Sequence, residues 1–462
     1  MLTGFILISD AVIRKLEDIV GSENVSTSPT DLHVYSYDAS IAHATPDVIV
    51  WPQTTEQVSQ IMKLAYEEEI PVTPRGAGSC LSGGPLPLKG GISITMTKMT
   101  RILDLNPNRL QVSVEPGVVV DRLNEYLQPH GLFYPINPAS SSIATIGGCV
   151  GEDAGPLRGV KYGTTKNWVL GLEVVLPNGK VIHVGSKTFK HVAGYDLVRL
   201  MVGSEGTLGI FTKINLRLAP IPEAVAVASA FFDSADAAGK GVRDAILSGV
   251  DPSGIELMER AVVEAASKHA GLKLPQAEFL ILYEIAGSKE SIEPRVRKLT
   301  KVLKEAGATA VDVAYEAEER ARLWKARKAA FPALSRLRPT CIMEDVAVPI
   351  DNVGKLLEAL RSLAKKHDVM VATFGHAGDG DLHPTITTDE RDEEEMKRVA
   401  AFRADMYKAV VDLEGTITGE HGVGITKKPY LKLQFREDEI EVMRSIKRAI
   451  DPKNILNPGK II

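Results

Sequence analysis

The sequence predicts an α+β chain of more than one domain, and three observations carry that prediction. The chain has 462 residues, 44% of them hydrophobic, which is too much apolar material for one core of ordinary size. Up to about residue 222, many short strands alternate with few, widely spaced helices, without the βαβαβ rhythm of a dinucleotide fold. Past Pro222 the pattern changes to longer strands and helices in alternation, as in an antiparallel sheet with helices on one face.

The elements follow in order. Residues 10–20 read as an amphipathic helix, and PDVIVWP (46–52) as a short apolar strand. In TTEQVSQIMKLAYEEEI (54–70), Val58, Ile61, Met62 and Leu64 recur at helical spacing, Thr54 or Thr55 suits the N-cap, and Glu56 and Gln57 suit the first turn. PVTPRGAGSCLSGG (71–84) starts as a strand and continues as a glycine-rich loop. Strands follow at 90–99 and 111–118, then a helix at 119–131 that Pro129 and Gly131 end. Residues 168–185 form two strands around Asn178-Gly179, a pair that favours a tight hairpin. An alternating strand at 207–222 closes on two prolines. The second region reads as strand and helix (224–254), strand (278–287), helix and strand (291–314), helix (317–334), strand (341–349), helix (353–367), then strand and loop (369–386). The tail, 437–462, is a helix followed by a turn-rich end.

Composition narrows the function classes. With 24% charged residues and a net charge of -5, the chain has no general electrostatic reason to bind nucleic acid or an anionic membrane. Cys80, Cys149 and Cys341 stand far apart with no CxxC pair, which argues against an iron–sulfur cluster or a cysteine-rich zinc site. The apolar run before Asp10 is too short to span a bilayer, and no run of 18 apolar residues occurs elsewhere. Cytoplasmic residence is the expectation, with peripheral association to a membrane redox partner left open.

Glycine marks the first candidate site. In PRGAGS (74–79), Gly76 and Gly78 leave room for backbone amides to approach a phosphate, and Gly147 and Gly148 in SIATIGGCV (142–150) do the same. Asp153-Ala154-Gly155 and Gly203-Ser204-Glu205-Gly206 add two more turns. Neither GxxxxGK[ST] nor a clean GxGxxG is present, so four separated glycine nests point to one extended ligand with a pyrophosphate.

These motifs, together with VEPGV (114–118), NPASSSIATIGG (137–148), KYGTTKNWVLGLEVVLPNG (161–179), GYDLVRLMVGSEGTLGI (194–210) and NILNPGK (454–460), carry a resemblance. In that order they resemble the vanillyl-alcohol-oxidase or PCMH-type flavoproteins. Within these, the nearest likeness is to the family of glycolate oxidase GlcD, D-lactate dehydrogenase and D-2-hydroxyglutarate dehydrogenase. The resemblance covers nearly the whole chain. It implies a PCMH-type FAD-binding domain (1–222), an antiparallel-sheet α+β substrate or cap domain (223–415), and a C-terminal segment (416–462) that returns to complete the flavin and active sites. It implies that Pro74, Arg75, Gly76, Ala77, Gly78 and Ser79 wrap the FAD pyrophosphate. Pro138, Ser141, Thr145, Gly147, Gly148 and Ala154 would line the flavin and ribityl region, Ile210 the adenine side, and Asn457 the isoalloxazine. No histidine stands in the PRGAGS region, so the FAD is expected to be non-covalent. Pro156 and Cys149 depart from the family's glycine and asparagine.

Histidine marks the second candidate site. FGHAGDGDLHP holds His376 and His383, seven apart across a turn, and GTITGEHGVG holds Glu420 and His421. Two imidazoles and a carboxylate suit a divalent metal with open positions, which can hold a substrate's carboxylate and hydroxyl together. His421 is then the natural base for the hydroxyl proton. The resemblance assigns the same roles: His376, His383 and Glu420 as metal ligands, with zinc expected ahead of manganese or iron, and His421 as the catalytic histidine. It also assigns Arg327, in LWKARK (323–328), to the substrate carboxylate, where bidentate geometry suits arginine. Arg322 and Lys328 are weaker candidates. Asp381 stands where the family carries asparagine. Glu344 and Asp345 stand near where dicarboxylate-specific relatives carry a lysine, which disfavours a second substrate carboxylate.

The expected activity is oxidation of a small monocarboxylate D-2-hydroxy acid, D-lactate first. Electrons would pass to a cytochrome, quinone, flavoprotein or iron–sulfur subunit and not to NAD, and a homodimer is left open. The alternatives are glycolate or another 2-hydroxy acid, an alkyldihydroxyacetonephosphate-synthase-like reaction without net oxidation, and a non-catalytic flavin subunit of a larger complex.

Overall fold

A computed structural model describes residues 8–271, 275 and 277–462, so most of the apolar run before Asp10 lies outside the described residues. The chain divides into two units. The first comprises the residues up to Gly155, Thr164–Ile221 and Glu420–Ile462; the second comprises Pro156–Gly163 and Pro222–Gly419. The C-terminal residues therefore fold back into the N-terminal unit. Pro156 falls with the second unit, although its motif reads as a continuation of the Asp153-Ala154-Gly155 turn.

The first unit holds two main sheets. In one, Val25–Ser26, Val48–Val50, Ile92–Thr95 and Val72–Arg75 lie in that order, and the last three are parallel. The helix Thr55–Glu67 crosses over between the parallel strands Val48–Val50 and Val72–Arg75, which flank Ile92–Thr95. Its N-cap is Thr54, whose side chain accepts from the Gln57 amide, and Val58, Ile61, Met62, Leu64 and Ala65 are buried along one stripe. The other sheet is antiparallel, in the order Ile102–Asn106, Gln111–Val114, Ile210–Arg217, Val169–Val175, Val181–Gly185. Its last hairpin turns at Asn178-Gly179 with Gly179 at φ +79°. A core of aliphatic residues runs from Val12 and Leu16 through Val48, Ile61, Val72 and Ile94 to Ile455 and Leu456, so the tail is part of this core.

The second unit is one antiparallel sheet in the order Ala310–Ala314, Ala224–Phe232, Phe279–Gly287, Gly254–Glu259, Met370–His376, Asp381–Thr388, Thr340–Met343. Val346–Ala347 also pairs with Asp381–Thr388. The stretch 317–334, which reads as one helix, is two, Ala317–Lys328 and Ala330–Leu334. The helix Glu393–Asp412 and the strand Gly254–Glu259 are elements the sequence pattern did not reveal. Among the described residues no helix is long and apolar enough to cross a membrane.

Candidate active site

The glycine-rich loop leaves the end of the strand Val72–Arg75, which contains Pro74. The amides of Gly76, Ala77, Gly78 and Ser79 enter no turn or cap hydrogen bond among the described residues. A run of uncommitted amides is what an anionic pyrophosphate needs. Gly78 has φ +74°, and a Cβ there would lie 2.2 Å from the Arg75 guanidinium, which is folded beneath the loop. Arg75 is itself buried, donates to the Tyr37 carbonyl at 2.8 Å and lies 5.2 Å over the Tyr35 ring. Burial lowers its pKa, and Asp38 acts in the opposite sense. Arg75 thus braces the loop from below.

The second glycine nest packs on the first. Thr145 caps the helix Ile146–Glu152, accepting from the Gly148 amide at 3.2 Å. A Cβ on Gly76 would stand 2.4 Å from Thr145 Oγ1, and one on Gly147 would stand 2.6 Å from Pro116 Cβ. Glycine at 76 allows the two turns to approach so closely, and glycine at 147 lets the second turn pack on Pro116. Pro138 accepts from the Ser141 amide at 2.9 Å, and Ala154 donates to the Cys149 carbonyl at 3.0 Å. Ile210 opens its strand and is buried in the same core as Val72. Asn457, at φ 45°, donates its backbone amide to Val72 and its side-chain amide to the carbonyls of Gly84 and Glu205, at 3.0 and 2.7 Å. Its side-chain nitrogen therefore ties the C-terminal turn to two loops of the same unit. Cys149 is buried, and burial pushes its thiol up to about 12, so it acts as a small apolar residue on this helix.

Glu420 and His421 belong to this first unit. Gly155 donates its amide to Glu420 Oε2 at 2.8 Å, and His421 Nε2 lies 3.7 Å from Glu420 Oε1. The turn after His421 is held by Glu205, whose carboxylate accepts from the Val423 and Gly424 amides, both at 2.7 Å. Glu152 faces the same turn: a Cβ on Gly422 would sit 2.4 Å from Glu152 Oε2 and 2.9 Å from Glu205 Oε1. Burial, and then the neighbouring Glu205, push the Glu152 carboxyl well above the usual range. These two buried acids are not evident from sequence, because their motifs read only as turns.

His376 and His383 belong to the second unit and sit on adjacent antiparallel strands. Phe374 pairs with His383 and His376 with Asp381, so all four side chains project from one face. The two imidazoles stand 5.0 Å apart between centroids at 85°, with ligand atoms within 4.8 Å of each other. Both are buried. Asp345 Oδ1 and Asp381 Oδ1 each lie 3.9 Å from His383 Nδ1. Two nitrogen donors flanked by carboxylates form a donor set that fits a divalent metal. Asp345 also accepts from Thr418 Oγ1 at 2.6 Å and the Gly419 amide at 3.0 Å. Glu420 is the next residue in the chain.

Arg327 is buried in this unit, whereas Arg322 and Lys328 are exposed. Its Nε donates to Glu256 Oε2 at 2.6 Å and its guanidinium carbon lies 4.7 Å over the Phe374 ring. Glu256 Oε1 meets His376 Nδ1 at 2.7 Å. One carboxylate thus joins Arg327 to His376. Glu344 is paired with Arg403 at 2.5 Å and bonded by the Tyr407 hydroxyl. The reading that sets Glu344 against a second substrate carboxylate is therefore incorrect for that residue, because its charge is answered inside the unit. Asp345 keeps that argument alone.

Residues 46–185 match the family described as FAD binding domain, and residues 221–461 match FAD linked oxidases, C-terminal domain. The glycolate oxidase subunit GlcD of Bacillus subtilis is 41% identical over 457 residues, covering 98% of this chain and 97% of its own. A D-lactate dehydrogenase of Anaerostipes hadrus is 35% identical over 429 residues, covering 90% of each. Among solved structures, p-cresol methylhydroxylase has a TM-score of 0.79 at 20% identity, covering 98% of this chain and 96% of its own, a likeness of fold. Alkyldihydroxyacetonephosphate synthase has a TM-score of 0.77 at 18% identity, covering 98% and 85%. Both family descriptions name FAD, and FAD is the cofactor of this chain. The chain belongs to the FAD-linked oxidases, in the branch that holds the GlcD subunits and the D-lactate dehydrogenases.

Proposed function

We propose that the chain oxidises a small 2-hydroxy acid, glycolate ahead of D-lactate, and passes the electrons to an external acceptor other than NAD. The observation that carries this reading is the buried group on one sheet face, where His376, one of two neighbouring imidazoles suited to a metal, shares the Glu256 carboxylate with an arginine suited to an anion. The preference for glycolate replaces the expectation of D-lactate, and it rests on the 41% identity to the Bacillus subtilis subunit.

When bound, FAD supplies the acceptor for the C2 hydride, and a divalent metal supplies the Lewis acidity that lowers the hydroxyl pKa. His376, His383 and Glu420 would hold that metal, with zinc the first candidate and manganese and iron next. Gly76, Gly78, Gly147 and Gly148 would cradle the cofactor with the other loop residues named above. Arg327 binds the substrate carboxylate through its terminal amines, which make no hydrogen bond among the described residues while Nε is held by Glu256. His421 takes the hydroxyl proton at a ring nitrogen, and Glu205 steadies the turn that follows it. Asp345 disfavours a second substrate carboxylate beside His383.

Steady-state turnover with a dye acceptor tests the substrate order. Glycolate and D-lactate should both be oxidised, glycolate with the higher kcat/KM, and D-2-hydroxyglutarate should lag by at least about tenfold. Preferential oxidation of D-2-hydroxyglutarate would refute the reading.

A further inference from the structure

We propose that Glu256 is a positioning residue that sets the metal-facing tautomer of His376 and the aim of Arg327 at once, so that metal affinity and substrate affinity depend on one buried carboxylate. This rests on the reading of His376 as a metal ligand. Glu256 sits on the strand Gly254–Glu259, inside the sheet between Phe279–Gly287 and Met370–His376, and has 0% exposure. Its Oε2 accepts from Arg327 Nε at 2.6 Å and its Oε1 meets His376 Nδ1 at 2.7 Å. An arginine can only donate, and a carboxylate can only accept. With the Glu256 carboxylate as acceptor, His376 places its proton on Nδ1 and keeps the Nε2 lone pair for a metal. The same contact fixes one edge of the guanidinium and leaves the terminal amines to turn toward an anion.

Glutamine has Glu256's shape but cannot serve both partners. With its oxygen on Arg327, its amide nitrogen faces His376 Nδ1 and forces the proton to Nε2, where it blocks the metal. With its oxygen on His376, its amide opposes the Arg327 Nε–H and turns the guanidinium away. One arm or the other must fail.

The test uses the full-length, FAD-loaded enzyme. Zinc affinity is measured by competition with a chromophoric chelator, KM for glycolate with a dye acceptor, and the FAD-to-protein ratio reports an intact flavin unit. Glu256→Gln should weaken zinc binding by about tenfold to a hundredfold, or raise KM by about tenfold, at an unchanged FAD ratio. Arg327→Met leaves Glu256 on His376, so it should raise KM while zinc affinity stays within about threefold of wild type. Glu256→Asp keeps the acceptor but is shorter, so it should weaken zinc binding or raise KM by a smaller factor than Glu256→Gln; it carries the test if Glu256→Gln does not fold. Wild-type zinc affinity together with wild-type KM in Glu256→Gln, or in Glu256→Asp where Glu256→Gln does not fold, would overturn this inference and leave the metal reading standing. A wild-type enzyme that binds no divalent metal would overturn the metal reading, and this inference with it.

Discussion

Glu420 Oε2 accepts the amide of Gly155 at 2.8 Å, and a Cβ on Gly155 would stand 2.6 Å from that same oxygen. Glycine at 155 therefore sets where the Glu420 carboxylate lies. Gly155→Ala should push the carboxylate aside and weaken divalent metal binding by about tenfold or more, with FAD retained. Metal content after dialysis, compared with flavin absorbance, checks this. Wild-type metal content in the variant would mean that Glu420 is not a ligand.

Gly78 is the position where the glycine-rich loop tolerates least. Its φ of +74° costs a side chain roughly 1–2 kcal/mol, and the Arg75 guanidinium occupies the place of a Cβ. Gly78→Ala should therefore release FAD on desalting, with a yellow wild type and a largely colourless variant. A variant that keeps its full complement of FAD through desalting would remove this loop from the cofactor site.

His383 and His421 should fail in different ways. His383→Ala should lose both metal and turnover while keeping FAD, because it removes one of the two paired imidazoles. His421→Ala should keep the metal and lose about 10²–10⁴ in kcat, the usual contribution of a general base. Metal analysis beside kcat separates the two. Loss of metal in both variants would place His421 among the ligands instead.

The buried Glu152 gives a pH dependence with a definite sign. Burial and Glu205 raise its folded-state pKa well above 4.5, so the folded chain holds a proton that the unfolded chain releases. Its contribution to stability is present below pH 4.5 and is lost as pH rises toward the folded value. Glu152→Gln mimics the protonated form and can still accept from the Cys80 thiol. The variant should melt higher than wild type at pH 8, and the difference should shrink as pH falls toward 4.5. An equal difference at both pH values would contradict this assignment.

What could be read in sequence was local. Thr54, with its helical apolar spacing, announces a capped helix, and Asn178-Gly179 announces a hairpin, because both signals lie within a few residues of the structure they cause. The glycine nests and the His376/His383 pair were legible for the same reason. Glu256 was not. In GIELME a buried acid alternates with apolar residues and reads as solvent-facing, and only Arg327 and His376, both distant in sequence, explain its burial. Glu259 repeats the case, held by Arg361 and the Thr373 amide. Glu344 was misread because its partner, Arg403, lies on the helix Glu393–Asp412, which the pattern did not reveal.

Anaerobic absorbance of the FAD-loaded protein tests the central claim most directly. Glycolate, and D-lactate more weakly, should bleach the flavin band; chelation should abolish the bleaching and added divalent metal restore it. A flavin that stays oxidised with both acids, with FAD bound and metal supplied, would contradict 2-hydroxy-acid oxidation by this site.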